Sequence, residues 1–438
     1  MINCFIPFLS LPQARQTVRA LGLCDRIKNI YLLATEKIPD EVEGCEMLMI
    51  DSPASTATFR TIALHADTAY TLLYTKYTAF EPGQFAFERL LAIAGDTNAG
   101  MLYADRYLLK NGNSQQAPVI DYQKGSLRDD FDFGSLLFFR SSVLKQAVRA
   151  MDADYRFAGL YDLRLRVSEL AELVHVNEYL YSEVETDIRK SGEKLFDYVD
   201  PKNRAVQIEM EAVCTAYLKR VGGYLAPDFE PVTFDAGGFE QEASVIIPVR
   251  NRIRTIEDAI CSVLAQKTTF RFNLIIVDNH STDGTSEAIG KYTADGRVVH
   301  LVPERSDLGI GGCWNVGVHH PACGKFAVQL DSDDVYSGPD TLQKIVDAFY
   351  EQNCAMVVGT YRMTDFKMNE IPPGIIDHRE WTLENGRNNA LRINGLGAPR
   401  AFYTPVLRRI NLPNTSYGED YALGLRISRT WRIGRIYD

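Results

Sequence analysis

At 438 residues, 46% of them apolar and 24% charged, the chain has the make-up of a soluble globular protein long enough for two or more domains. A formal net charge of −10 argues against a protein that grips a nucleic-acid backbone, so no nucleic-acid partner is expected. No apolar run approaches the ~20 residues of a membrane span. Eight scattered cysteines without a C-x-x-C pair point to reduced thiols in a cytoplasm, not to a zinc site or a disulfide framework.

In chain order, Met1-Ile-Asn-Cys-Phe-Ile-Pro-Phe8 lacks the basic start and small-residue cleavage site of a signal peptide and reads as a first strand. Ile30 to Leu33 reads as a second. From Tyr70 to Leu109 an apolar strand leads to a Gly/Pro turn, an amphipathic helix and another strand, and Lys325 to Thr364 repeats that order. Ile6-Pro7 echoes Ile247-Pro248, Ile30–Leu33 echoes Leu274–Val277, and Phe133–Arg140 loosely echoes Gly395–Phe402. Tyr161–Ser168 echoes Tyr421–Ser428. The spacing predicts an internal repeat of about 200 residues. The expected division is 1–190, then a helix from Pro201 to Val221 and a turn-rich linker within 191–242, then 243–438.

The second unit alternates strand and helix. Ser244–Val249 is a strand, and Thr255 opens a helix with Asp258 as its capping-box partner. Strands follow at Leu274–Val277, Val298–Val302 and Phe326–Leu330, with a helix over Thr285–Tyr292. Such alternation predicts a parallel α/β sheet, whose ligands sit beyond the carboxyl ends of the strands. Polar residues cluster at those ends: Arg250-Asn251, Asp278-Asn279-His280-Ser281, and Asp331-Ser332-Asp333-Asp334.

The last of these is the most telling, three carboxylates in four residues directly after an apolar strand. Alternation along an extended chain turns Asp331 and Asp333 to one side, as hard oxygen ligands suited to Mg²⁺ or Mn²⁺. A solvated acidic turn is the plainer alternative. The loop Gly309–Gly317 reads either as a phosphate cradle or, better, as glycines that let a helix pack closely. His319-His320 reads as a loop, since adjacent side chains project apart. Ser281–Gly284 reads as a turn and helix N-cap. Glu419-Asp420 reads equally as a helix N-terminal pair or as catalytic carboxylates.

The motifs Val245–Asn251, Val277–Thr285, Asn315-Val-Gly317, Gly324-Lys325, Asp331–Asp334 and Gly418–Tyr421, in this order, resemble the family-2 glycosyltransferases across residues 243–438. That resemblance implies a GT-A fold, the Rossmann-like α/β fold of nucleotide-diphosphosugar transferases, here as two tandem GT-A-like units. It implies an inverting, metal-dependent transfer from a nucleotide sugar, a UDP-sugar favoured, to a hydroxyl of a glycan or lipid-linked acceptor in polysaccharide or glycoconjugate biosynthesis. Pro248, Arg250, Asn251, Asp278, Asn279, Asn315, Asp331 and Ser332 are implied to bind the donor, and Asp331 and Asp333 to hold Mn²⁺ or Mg²⁺. Asp420 is implied as general base and Glu419 as an acceptor-side residue. Three departures stand out: Asn279 replaces an aspartate, Trp314 replaces a basic residue, and the chain stops at Asp438, short of the family's usual end. A cytoplasmic protein, peripheral at the inner face of a membrane, is the expected setting.

In the first unit Ala34 stands for Asp278, Tyr74-Thr75-Lys76 for the acidic tip, and Gly159-Leu160 for Glu419-Asp420, which predicts a catalytically inactive unit. Two competing classes remain at this point. A sugar-nucleotide nucleotidyltransferase shares the scaffold but opens with a Gly-rich basic loop that Pro248–Asn251 lacks. A non-catalytic carbohydrate-binding scaffold is at odds with the intact carboxylates of the second unit.

Overall fold

Continuous apolar runs become buried central strands because helices cover both faces of a parallel sheet. Ile2–Pro7 is buried at every position, and Ala243–Val249 at all but Pro248. The computed structural model describes residues 1–37, 41–110, 112–184 and 203–437. They form two compact units, 1–184 with 203–223, and 224–437. The expected boundary at 190/191, Pro201 and Asp438 lie outside the described residues. The connecting helix is Arg204–Val221 and belongs to the first unit, where Glu209 accepts hydrogen bonds from the backbone N–H of Phe157 (2.7 Å) and Ala158 (3.1 Å).

In the first unit the strands are β1 (Ile2–Pro7), β2 (Ile27–Ala34), β3 (Glu46–Met49), β4 (Tyr70–Tyr74), β5 (Phe80–Pro82), β6 (Met101–Lys110), β7 (Asn113–Ala117), β8 (Leu136–Arg140) and β9 (Leu173–Val184). They form one sheet in the order β3-β2-β1-β4-β8-β6-β9-β5, with β7 beside β6. The second unit contributes β10 (Ala243–Val249), β11 (Phe272–Asp278), β12 (Val298–Leu301), β13 (Phe326–Gln329), β14 (Met356–Val358), β15 (Tyr361–Thr364), β16 (Glu370–Ile376), β17 (Arg400–Tyr403) and β18 (Ile433–Arg435). Its main sheet runs β12-β11-β10-β13-β17-β14-β18, and β15 and β16 form a separate hairpin.

The two sheets follow one plan. β1 lies parallel between β2 and β4, and β8 runs antiparallel to β4. Likewise β10 lies parallel between β11 and β13, with β17 antiparallel to β13. The fold is therefore α/β and Rossmann-like, in tandem.

Register sets which positions correspond. Ile2 faces Tyr70 as Ala243 faces Phe326, and Pro7 faces Leu33 as Pro248 faces Val277. Ala34 is thus the counterpart of Asp278, as the sequence repeat has it. The counterpart of Asp331-Ser332-Asp333 is Thr75-Lys76-Tyr77, one residue beyond the sequence alignment, because strand pairing and not apolar pattern decides the offset. No carboxylate stands there in either alignment.

Two local expectations are corrected. Thr255 does cap a helix, Ile256–Leu264, but its Oγ1 is buried without a partner, and the turn is closed by backbone bonds to the carbonyl of Arg252. β13 ends at Gln329, and residues 331–334 form a turn closed by the Asp334 N–H on the Asp331 carbonyl (3.1 Å), so strand alternation does not reach Asp331 and Asp333. Among the described residues no helix is long and apolar enough to cross a membrane.

Candidate active site

The ends of β10, β11 and β13 and the start of helix Glu419–Ser428 carry the site of the second unit. At the end of β11, Asp278 has no exposed surface. Burial alone would raise its carboxyl, but bonds from Ser281 and Ser286, the Ser281 backbone N–H at 3.0 Å and His300 at 3.5 Å hold it below the usual range. Asn279, also buried, donates from Nδ2 to the Leu308 carbonyl (2.8 Å), while its Oδ1 has no partner. Asn251 sits at φ +55° and accepts the Thr282 N–H at 2.8 Å, and its own N–H donates to Ser281 Oγ at 2.9 Å. These bonds lock the loops after β10 and β11 together. Asp283 accepts from the Thr285 N–H at 3.1 Å, which makes Ser281–Gly284 the expected turn into the helix Thr285–Gly290. Pro248 is half-buried and Arg250 exposed beside them.

At the end of β13, Ser332 is buried, Asp331 half-buried and Asp333 exposed. Asp331 Oδ1 accepts from Gln329 Nε2 at 3.0 Å, and Asp333 Oδ2 faces Arg252 Nε at 3.7 Å. Asp334 is pushed up to about 6, by loss of solvent at its carboxyl and by Asp331 and Asp333, although much of the residue stays exposed. Each of Asp331 and Asp333 keeps an oxygen for a cation. Among the described residues three ligand-type atoms converge within 4.8 Å at Cys24, Asp25 and Glu88 and not at this tip. Open tips of hard oxygens suit Mg²⁺ or Mn²⁺ shared with substrate phosphates.

Gly418, at φ +77°, delivers Glu419 and Asp420 into the first turn of their helix. No side chain caps that helix. Asp420 accepts the Tyr421 N–H at 2.6 Å through Oδ1, and its Oδ2 forms an ion pair with Arg400 Nη1. Arg400 Nε donates to Gln329 Oε1 at 2.6 Å. A continuous polar path therefore joins Asp331, Gln329, Arg400 and Asp420. Glu419 is buried, with Oε2 unpartnered. Burial, then the charges of Asp420 and Asp331, raise its carboxyl against the opposing pull of Arg400.

The glycine loop is a packing surface. A Cβ at Gly311 would lie 2.0 Å from the Pro413 carbonyl oxygen, and one at Gly312 2.2 Å from Asn414 Oδ1. Backbone N–H groups of Gly309 and Gly311 are spent on Asn414 Oδ1 (2.8 Å) and the Thr415 carbonyl (3.0 Å), so they make no phosphate cradle. Asn315, expected on the donor side, has its side-chain partners within the protein. Its amide donates to the Leu412 carbonyl (2.8 Å) and accepts the Leu412 N–H (2.9 Å), clamping the loop that leads to Glu419. His319 pairs with Asn411 at 2.6 Å.

Sequence reasoning passed over Gln329, Arg400 and Arg252. A polar residue closing the run Phe326-Ala-Val-Gln329, and an arginine heading the buried strand Arg400-Ala-Phe-Tyr403, were the available signals.

Residues 244–409 match the family model of glycosyl transferase family 2. An uncharacterized glycosyltransferase of Rickettsia felis is 30% identical over 200 residues, 45% of this chain and 32% of its own length. The putative teichuronic acid biosynthesis glycosyltransferase TuaG of Bacillus subtilis is 33% identical over 120 residues, 27% of this chain and 46% of its own length. The chain thus spans less than half the length of either relative. Among solved structures, S. aureus TarS 1-349 in complex with UDP-GlcNAc aligns at 23% identity and TM-score 0.37 over 45% of this chain and 56% of that one. The mannosyltransferase PcManGT from Pyrobaculum calidifontis aligns at 17% identity and TM-score 0.35, over 56% and 69% respectively. The motif order and the family match agree on one segment: residues 244–409 match glycosyl transferase family 2.

Proposed function

We propose that the second unit is an inverting glycosyltransferase that moves a sugar from a nucleotide-diphosphosugar to a hydroxyl of a glycan or lipid-linked acceptor. The observation that carries this reading is the link from Asp331, in the cation-type tip with Asp333, through Gln329 and Arg400 to a further carboxylate, Asp420, beyond the sheet's carboxyl edge. Asp420 takes the proton of the acceptor hydroxyl as it attacks the sugar carbon from the face opposite the phosphate, without a covalent intermediate. Glu419, with an oxygen unpartnered, binds on the acceptor side.

Asp331 and Asp333 would hold Mn²⁺ or Mg²⁺. Such an ion supplies Lewis-acid neutralisation of the departing diphosphate. Pro248, Arg250, Asn251, Asp278, Asn279 and Ser332 line the donor side. The unpartnered acceptor Oδ1 of Asn279 suits a ring N–H such as that of uracil. Similarity to TuaG, a putative teichuronic acid biosynthesis glycosyltransferase, supports a setting in polysaccharide or glycoconjugate synthesis, and a cytoplasmic protein peripheral at a membrane goes with that setting. The first unit, with Ala34, Thr75-Lys76-Tyr77 and Gly159-Leu160 at the corresponding places, serves packing, acceptor recognition or partner docking without catalysis.

The test is a screen of nucleotide sugars for Mn²⁺-dependent release of nucleoside diphosphate. Asp420→Asn should remove transfer while leaving donor binding, and Asp333→Asn should remove the metal dependence. Release of pyrophosphate from a nucleoside triphosphate and a sugar phosphate would overturn the proposal in favour of a nucleotidyltransferase.

A further inference from the structure

Resting on that reading of Asp420 and Asp331, we propose that Arg400 and Gln329 are positioning residues that fix the two carboxylates relative to one another. β13 and β17 pair antiparallel with Val328 facing Ala401, so Gln329 and Arg400 are the next cross-strand pair. Both are buried, each 7% exposed. Arg400 uses Nε on Gln329 Oε1 at 2.6 Å and Nη1 on the Leu396 carbonyl at 3.2 Å and on Asp420 Oδ2. With its oxygen turned to the guanidinium, the Gln329 amide must present Nε2 the other way, where it meets Asp331 Oδ1 at 3.0 Å. A flipped amide would set N–H against guanidinium and oxygen against carboxylate. The orientation of each end therefore depends on the other.

The first unit is an internal control. In its sheet the same cross-strand positions hold Leu73 and Leu137, paired in register and 5% and 4% exposed. This plan of sheet packs well with two leucines there, and desolvating a guanidinium is costly where an apolar pair would do. The polar pair stands in the unit that retains the carboxylates, and the apolar pair in the unit that lacks them at all three corresponding places. Fold stability does not account for Gln329 and Arg400. Placement of Asp331 and Asp420 does.

The experiment uses the full chain with Q329L, R400L, R400K, D420N and the R400L/D420N and Q329L/R400L double variants. Q329L should weaken Mn²⁺ binding, read by EPR without donor, about tenfold, as loss of an outer-shell partner does. R400L should lower kcat about 100-fold with little change in KM, as displacement of a catalytic group does, and R400K should restore part of that loss. At saturating Mn²⁺, R400L/D420N should be no slower than D420N alone, because removal of the carboxylate leaves Arg400 only Gln329 and the Asp331 side to position. The melting temperature of the Q329L/R400L double variant, which copies Leu73 and Leu137, should equal or exceed the parent's, whereas each single variant leaves a buried partner unpaired and should melt lower. An unchanged Mn²⁺ affinity in Q329L, or losses in R400L and D420N that multiply in R400L/D420N, would overturn the proposal. Full turnover in D420N would instead sink the reading of Asp420 as base, a separate failure.

Discussion

Lys76 holds its ammonium 2.5 Å from Oε1 of Glu183, a carboxylate with no exposed surface, and Arg106 Nε donates to the same oxygen at 3.0 Å. Lys76 belongs to the strand tip that corresponds to Asp331-Ser332-Asp333. The first unit thus carries its own cations at the place where the second carries Asp331 and Asp333. Neutralising Glu183 would leave the buried Arg106 and the half-buried Lys76 facing one another. Glu183→Gln is expected to cost about 3 kcal/mol, in the range for breaking a buried pair from one side. Urea denaturation checks it, and an unchanged midpoint would show that the network contributes nothing.

Metal stoichiometry separates the two units. One Mn²⁺ per chain is expected, lost in Asp331→Asn and in Asp333→Asn. At about 100 times Kd the ion should stabilise the chain by about 2.7 kcal/mol. Calorimetric titration that returned two ions per chain, or one that survived both substitutions, would contradict the contrast between the tips.

Gly311 tests the loop that carries Asp420. Its missing Cβ makes room for the Pro413 carbonyl, and Pro413 and Asn414 lead directly to Gly418-Glu419-Asp420. Gly311→Ala should destabilise the chain by about 2 kcal/mol through overpacking. It should also lower turnover more than the loss of folded protein explains. Circular dichroism and rates measured on the same sample distinguish the two effects.

Asp278 predicts a pH effect with a definite sign. Its folded carboxyl lies below the ordinary range, held there by Ser281, Ser286 and His300 against the cost of burial. Such a group contributes stability that is fully present above the unfolded value of about 3.9 and is lost as pH falls through the folded one. Asp278→Asn should therefore cost about 2 kcal/mol at neutral pH, the scale of charge-assisted bonds, and the difference from the parent should shrink in acid. Thermal melts across that window check it. A difference that is constant with pH would remove Asp278 as the source.

Much of the candidate site was legible along the chain. Asp278-Asn279 and Asp331-Ser332-Asp333 come directly after largely apolar runs, and in a parallel sheet the residues after a buried strand lie at the carboxyl edge. Composition and periodicity also sufficed for the α/β plan and its repeat. What misled was local. Thr255 has the look of a capping box, yet backbone bonds closed the turn first, and the alternation assumed through Asp333 fails because the strand ends four residues earlier.

Sequence alone determined most of the parallel core strands, that the plan occurs twice, and that the first copy lacks the carboxylates, since burial and charge are written residue by residue. Tertiary structure alone decided that Gln329 and Arg400, 71 residues apart, meet between Asp331 and Asp420, and that Asn315 holds a loop. The reason is physical: cross-strand register and loop closure join positions with no periodic relation in the chain, and hydrogen-bond partners are assigned only once those positions are brought together.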